Sequence, residues 1–159
     1  MRIVAETVGG GNFRESFLDV GRGSGLFSIA AYQLGATKVV GIDVNPRCVE
    51  ISCANRDHLA PGSWVEFYVA SALEPAQLTR FGNFDLVYAW GSLHHTGAMW
   101  TAIVDVSKCV APGGTLVLAI YNKDTTSPVW KGIKWAYNHV PYTVESVIVL
   151  LFRRYYLLG

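Results

Sequence analysis

Short apolar runs alternate along the chain with segments that carry a helical pattern. The five apolar runs, each predicted to be a strand, are residues 16–20, 38–44, 64–70, 84–90 and 115–121. Helical segments are predicted between Ser24 and Gly35 and at 47–58, 75–80 and about 98–110. Strands that are apolar on both faces are typical of a parallel sheet covered by helices on both sides. With right-handed crossovers, the pattern predicts a doubly wound, mainly parallel α/β fold of the Rossmann-like kind, with three αβα layers.

Capping and breaking residues predict where these helices begin and end. Ser24 is a candidate N-cap for the first helix, which Gly35 would end, and Pro46 would begin the second helix. Pro112-Gly113-Gly114 would end the fourth helix. The inner face of the first helix is predicted to carry Leu26, Phe27, Ile29, Ala30 and Leu34.

The length of 159 residues predicts a single domain, 1–159, with a sizeable core. A hydrophobic fraction of 51% and a charged fraction of 16% are typical of a compact globular protein. The alternating core is expected at 16–122 and a helical C-terminal extension at 127–158. The chain ends inside a hydrophobic pattern, from which a truncated protein is expected.

Charge and composition argue against several classes of partner. The net charge is +1 and no basic groove with interleaved aromatic residues is recognisable, so nucleic acid is not an expected partner. The longest apolar run, 147–152, is much shorter than the ~20 residues that span a bilayer. Three cysteines without a C-x-x-C pair support neither a disulfide framework nor a zinc site. With no signal peptide recognisable, a cytoplasmic protein without a membrane span is expected.

Three glycines follow the first predicted strand in the stretch FLDVGRGSGL, residues 17–26. Gly21, Gly23 and Gly25 lie where this strand turns into the first helix, and ligands of such folds bind beyond the carboxyl ends of the strands. Glycine there permits a positive φ and a close approach of the ligand to the backbone. The spacing fits neither G-x-G-x-x-G/A, since residue 26 is leucine, nor a P-loop, which needs a lysine. Pyrophosphate-binding proteins are therefore disfavoured.

Two acidic residues refine the kind of ligand. Asp43 ends the second predicted strand about twenty residues after the first glycine, where an acid accepts hydrogen bonds from ribose hydroxyls. As a lone aspartate it could instead cap the helix that starts at Pro46. Asp19 disfavours a phosphate but can pair with backbone amides or with a cationic group. The residues thus favour a nucleoside without phosphates, for which a positive charge would be acceptable.

Several motifs together closely resemble class I S-adenosylmethionine-dependent methyltransferases. They read LDVGRGSGLFSIAAYQLGATKVVGIDVNP at 18–46, FDLVYAWGSLHHTGAMW at 84–100 and CVAPGGTLVLAIYNK at 109–123. The similarity covers about residues 16–140, and the motifs follow in the order expected of that family. It implies a Rossmann-like methyltransferase core, methyltransferase activity and S-adenosyl-L-methionine as the cofactor.

The resemblance also implies roles for particular residues. Asp19, Gly21, Gly23 and Gly25 would surround the methionine part of the cofactor, and Asp43, next to Val44, would bind the ribose diol. Ser71, Ala72 and Leu73 would hold the adenine, while Trp90 and Gly91 would close the pocket at the end of the fourth strand.

The sequence departs from the family pattern at four points. Arg22 stands where such sequences often carry cysteine or another small residue, and its side chain is expected to point to solvent. No acid is found at or beside Ser71 near the expected adenine. The antiparallel strand pair that usually completes the sheet is not recognisable, and the N-terminal segment is short. The resemblance therefore supports cofactor binding better than it supports full methyltransferase activity.

Adjacent histidines are the candidate general bases. His94 and His95 follow the fourth predicted strand, and histidine can titrate near neutral pH. For each of them, packing against the following helix is as good an interpretation as catalysis. They lack further partners at metal-ligand spacing, so no metal site is predicted.

The methyl acceptor is expected to be a small molecule, because no nucleic-acid-binding pattern is present. The alternative is a truncated domain that binds the cofactor without catalysis. A nicotinamide-dependent dehydrogenase on the same fold is disfavoured by Leu26 and Asp19.

Overall fold

The computed structural model describes residues 15–121 of the chain. Within this range the strands are β1 (Ser16–Val20), β2 (Lys38–Asp43), β3 (Val65–Val69), β4 (Phe84–Trp90) and β5 (Val110–Ala119). The α-helices are α1 (Leu26–Gln33), α2 (Pro46–Leu59), α3 (Pro75–Thr79) and α4 (Met99–Ser107), and a 3₁₀ turn covers Leu93–His95. The predicted C-terminal extension, 127–158, lies outside the described residues.

The five strands form one parallel sheet in the order β3-β2-β1-β4-β5. The chain builds outward from β1 to β3 and then returns to the other side of β1 with β4 and β5. The strand order therefore reverses between β1 and β4, and a crevice opens beyond the carboxyl ends of these two strands. The prediction of a doubly wound parallel fold is confirmed. The expected lack of an antiparallel pair concerns residues beyond the described part of the chain.

Two apolar cores lie on opposite faces of the sheet, because successive side chains of a strand point to opposite sides. Phe17 packs in the core that includes Ile29 of α1, together with the half-buried Cys53 of α2. Its neighbour Leu18 packs in the other core, with Leu78 of α3 and Val106 of α4. The predicted three-layer αβα arrangement is therefore confirmed.

The first helix differs from the prediction in its cap and in its inner face. Gly25 is the N-cap residue and makes no side-chain capping hydrogen bond, so the assignment of Ser24 as the cap is wrong. Leu26 is 50% exposed and Leu34 is also exposed. Nearly every residue of α1 is apolar or small, so composition does not mark its inner face. The buried residues are Ser28, Ile29, Ala30 and Ala31.

The boundary between the fourth helix and the fifth strand also differs from the prediction. Helix α4 ends at Ser107, and Pro112-Gly113-Gly114 lies inside β5 instead of ending the helix. The pairing of β4 with β5 shifts register between Phe84 and Leu86, opposite this segment. Proline has no N–H to donate to a sheet, so the irregular stretch accommodates it while pairing resumes at Thr115.

No helix among residues 15–121 is long and apolar enough to cross a membrane.

Candidate cofactor site

A cleft of about 490 Å³ lies at the carboxyl ends of the strands, where the strand order reverses. The loops after β1, β2, β3 and β4 all contribute to its wall. The predicted pocket residues that line it are Gly21, Asp43, Val44, Ser71, Ala72, Leu73 and Gly91. Four others, Asp19, Gly23, Gly25 and Trp90, are not among its lining residues. The topology thus brings together residues from four separate segments of the sequence.

Asp43 connects the end of β2 to residues 21–25, the glycine loop between β1 and α1. Its Oδ2 accepts a hydrogen bond from the Gly23 N–H at 3.1 Å, and its Oδ1 accepts one from the Asn45 N–H at 2.9 Å. Asn45 itself caps α2, since its side chain accepts from the Arg47 N–H. The alternative of Asp43 as the helix cap is therefore wrong. Each carboxylate oxygen keeps a second lone pair for a ligand hydroxyl.

A glycine is required at position 21 because the loop after β1 closely approaches the loop after β4. The φ of Gly21 is +71°, and a Cβ built there would lie 2.3 Å from the Cβ of Ser92. Ser92 follows β4 and donates from Oγ to the Val20 carbonyl at 2.8 Å. This contact joins the ends of β1 and β4 at the strand-order reversal. The sequence analysis did not identify Ser92. Its position two residues after the end of β4 is the feature that could have indicated it.

Asp19 points away from the cleft into the layer that contains α1. It is 2% exposed, and its Oδ2 accepts a hydrogen bond from Ser28 Oγ at 2.7 Å. Burial raises the pKa of Asp19 to about 6, although the Ser28 hydrogen bond and the charge of Arg22 oppose the rise. The carboxyl group therefore anchors the end of β1 to α1, the helix that follows the glycines.

Arg22 is buried, so the expectation that its side chain points to solvent is wrong. It is 5% exposed, and its guanidinium lies 4.5 Å from the ring centroid of Phe67. Nη1 donates to the Cys48 carbonyl at 3.1 Å. The space exists because residue 41 is glycine: a Cβ there would come within 2.3 Å of Arg22 Cδ. Burial, as the largest effect, lowers the pKa of Arg22.

The loop after β3 is organised by its own side chains. Gln77 Oε1 accepts from the Ser71 N–H at 3.0 Å, and Ser71 Oγ accepts from the Leu73 N–H at 3.1 Å. The Ala70 N–H donates to the Asp43 carbonyl at 3.0 Å, which holds this loop beside the end of β2. The arrangement presents a small, uncharged surface to the cleft.

The two histidines have different environments. His95 is exposed and lines the cleft, whereas His94 does not line it. The ring nitrogens of His94 are buried and have no hydrogen-bond partner within residues 15–121. The His94 ring packs 4.0 Å from that of His95 and 5.0 Å from that of Tyr121, centroid to centroid. Across residues 15–121, no group of three or more acidic, histidine or cysteine side chains could hold a metal ion.

Trp90 ends β4 as predicted and is partly buried. Its ring stacks on that of Tyr88 with centroids 5.8 Å apart and planes inclined by 9°. Both belong to the core between the sheet and helices α1 and α2. The side chain thus supports the strand end from the face opposite the cleft.

The parallel sheet and its cleft define a Rossmann-like α/β domain whose ligand site lies at the carboxyl ends of the strands. A family model described as "Methyltransferase domain" matches residues 2–154. The chain belongs to this family and is a class I, S-adenosylmethionine-dependent methyltransferase domain. The cofactor of its class is S-adenosyl-L-methionine, so the dehydrogenase alternative loses its support.

Individual proteins are similar to this chain over part of their length. A ribosomal protein L11 methyltransferase from Citrifermentans bemidjiense is 34% identical over 111 residues, which are 69% of this chain and 33% of that protein. The chain thus spans about a third of the length of this relative.

Solved structures share the fold at lower identity. The PH0226 protein from Pyrococcus horikoshii OT3 has a TM-score of 0.67 and 22% identity, over 82% of this chain and 58% of that one. A methyltransferase from Thiobacillus denitrificans, in complex with S-adenosyl-L-homocysteine, has a TM-score of 0.61 and 18% identity, over 74% and 46% of the two chains.

Proposed function

We propose that this domain binds S-adenosyl-L-methionine in the cleft between the ends of β1, β2, β3 and β4 and transfers its methyl group to a small-molecule acceptor. The observation that carries the proposal is Asp43, which lies on the cleft wall and already orders the glycine loop through Gly23. The cleft volume of about 490 Å³ falls within the range of ~300–1,000 Å³ that is typical of pockets for cofactor-sized ligands.

The residues on the cleft wall fit a nucleoside cofactor without phosphates. Asp43 offers free lone pairs on both carboxylate oxygens to a ribose diol. Ser71, Ala72 and Leu73 form an uncharged wall for the adenine, where the Ser71 hydroxyl can still donate a hydrogen bond. The glycine loop, with Gly23 open to its surroundings, would receive the methionine part.

When bound, the cofactor supplies a methyl group already activated by the sulfonium charge. The protein then has to hold the acceptor in line with this group and to exclude water. Apolar side chains of Val20, Ile42 and Leu93 line the cleft and disfavour water there. His95 would accept a proton, at a ring nitrogen, from an acceptor that must lose one, and its position on the cleft wall supports this role. His94 packs against it and would fix its orientation.

A small acceptor is supported by the charges around the cleft. Its lining residues include a single carboxylate, Asp43, and no lysine or arginine. A protein acceptor is the second candidate, favoured by the L11 methyltransferase relatives.

The test is to titrate the purified chain calorimetrically with S-adenosylmethionine and then to measure S-adenosylhomocysteine formed with different acceptors. One set would contain small amines, thiols, phenols and carboxylic acids, and the other ribosomal protein L11. Product with a small molecule supports the first candidate, and product with the protein alone supports the second. Cofactor binding without product in either set would favour the alternative of a binding domain without catalysis.

A further inference from the structure

Gly23 is held at both of its backbone polar groups. Its N–H donates to Asp43 Oδ2 at 3.1 Å. Its carbonyl accepts from Arg22 Nη1 at 3.2 Å and from Ser52 Oγ at 3.1 Å. A Cβ at Gly23 would meet no heavy atom within 4 Å, so packing does not fix this residue. Its position therefore depends on these hydrogen bonds.

Arg22 links this glycine to α2. Nη1 carries two hydrogens and lies within hydrogen-bond distance of three acceptors: the Gly23 carbonyl, the Cys48 carbonyl and Ser52 Oγ. Cys48 and Ser52 belong to α2. Ser52 is itself fully buried, and its single hydroxyl proton is shared between the Cys48 carbonyl at 2.8 Å and the Gly23 carbonyl at 3.1 Å. The guanidinium thus joins the glycine loop, the second helix and the aromatic ring of Phe67.

Burying a guanidinium raises the free energy of the folded state, and hydrogen bonds offset only part of this for Arg22. Moving a charge out of water is strongly unfavourable unless partners replace the solvent. Nε and Nη2 of Arg22 are buried and have no hydrogen-bond partner among the described residues. A small residue at this position would avoid the cost, so a contribution to the loop is needed to account for the arginine.

We propose that Arg22 is a positioning residue for cofactor binding. It holds the Gly23 carbonyl on the side of α2, while Asp43, which lines the cleft, holds the Gly23 N–H. The inference rests on the proposed function, because the loop it orders is the one assigned to the methionine part of the cofactor. Arg22 acts through the backbone and does not touch the ligand itself.

The experiment compares Arg22→Met with Arg56→Met in the full chain. Arg56 also donates to a carbonyl, that of Val65 at 3.1 Å, but Val65 begins β3 and does not belong to the loop that follows β1. Dissociation constants are measured for S-adenosylmethionine and, separately, for S-adenosylhomocysteine, which lacks the sulfonium charge. Exchange of the Gly23 amide hydrogen is measured in the cofactor-free protein. Arg22→Lys serves as the conservative variant, and as the main variant if Arg22→Met does not fold.

Arg22→Met is expected to weaken both ligands by a similar factor of about ten or more, because a hydrogen bond from a charged donor no longer orders the loop. Arg56→Met should leave both constants within about twofold of the wild type. Arg22→Lys should restore part of the affinity, and Gly23 amide exchange should accelerate in Arg22→Met but not in Arg56→Met.

Three results would overturn the inference: unchanged affinity in a folded Arg22→Met variant, a change for the charged ligand alone, or unchanged Gly23 exchange. The second of these would assign Arg22 an electrostatic role instead of a positioning role. If the wild-type protein binds neither ligand, the proposed function fails. The Gly23 exchange comparison then still decides whether Arg22 orders the loop.

Discussion

Replacing Asp43 by alanine tests the candidate cofactor site most directly. In the cofactor-free protein the change removes the acceptor of the Gly23 and Asn45 N–H groups. In the proposed complex it also removes the acceptor of two ribose hydroxyls. The change should therefore weaken cofactor binding much more than it affects the fold, whose cores lie elsewhere.

The expected magnitude follows from the number of hydrogen bonds lost. A hydrogen bond to a charged group contributes ~1.5–3 kcal/mol. Two such bonds to the ribose would give up to ~6 kcal/mol, but Asp43 is half-buried and the freed hydroxyls regain water, so about 3 kcal/mol is a reasonable expectation. That loss corresponds to roughly 150-fold weaker binding. Asp43→Asn keeps one acceptor oxygen and should lose about half of this free energy.

The assay is calorimetric titration of both Asp43 variants with S-adenosylmethionine. Asp57→Ala is the matched control, since Asp57 is an exposed acid of α2 that pairs with Arg56. The control should bind as the wild type does. If Asp43→Ala, shown to be folded by circular dichroism, binds within about threefold of the wild type, the assignment of Asp43 to the ribose is refuted.

Three further predictions concern the loop, the buried acid and the candidate base. Gly21→Ala should lower thermal stability more than Gly82→Ala, by ~2 kcal/mol or more, because both have a positive φ but only Gly21 is packed against Ser92; equal melting temperatures would contradict this. The pKa of Asp19 is about 6 in the folded protein, above the ordinary 3.8, so between these pH values the folded protein binds more protons than the unfolded chain. The contribution of Asp19 to the free energy of unfolding should therefore fall by up to ~3 kcal/mol as the pH rises from 4 to 7. Urea unfolding across that range should show a shallower fall for Asp19→Asn, and parallel curves would refute the assignment. His95→Gln should reduce kcat by about 100-fold with an acceptor that must lose a proton, while the dissociation constant of the cofactor stays unchanged; a kcat unchanged with such an acceptor would exclude His95 as the base.

The strands could be predicted because their environment leaves a clear pattern. The predicted bounds of β1 and β4 agree with the structure, Ser16–Val20 and Phe84–Trp90. Both are central strands of the sheet, so both of their faces are buried and their residues are apolar almost without interruption. The start of the edge strand β5 is harder to predict, because Cys109 and Val110 suit a helix end as well as a strand.

The burial of Arg22 could not be predicted from a single sequence. Arginine is mostly exposed in proteins, so solvent was the reasonable expectation. The space that it fills depends on Gly41, which lies on the neighbouring strand, opposite Asp19 in the sheet register. A glycine inside a strand indicates a close approach, but only the fold shows which side chain approaches.

The three glycines of the loop illustrate why a motif predicts a site better than it predicts the roles of its residues. Gly21 makes room for Ser92, and Gly25 makes room for Ser52 and Phe67. Only Gly23 faces open space, and it is the glycine bonded to Asp43. Substitution of the first and third glycines should therefore disturb the fold, whereas Gly23 is the position where packing leaves space and where Asp43 and Arg22 hold the backbone. The three closely spaced glycines predict a candidate site at this turn, because packing and close approach of a ligand both favour glycine there.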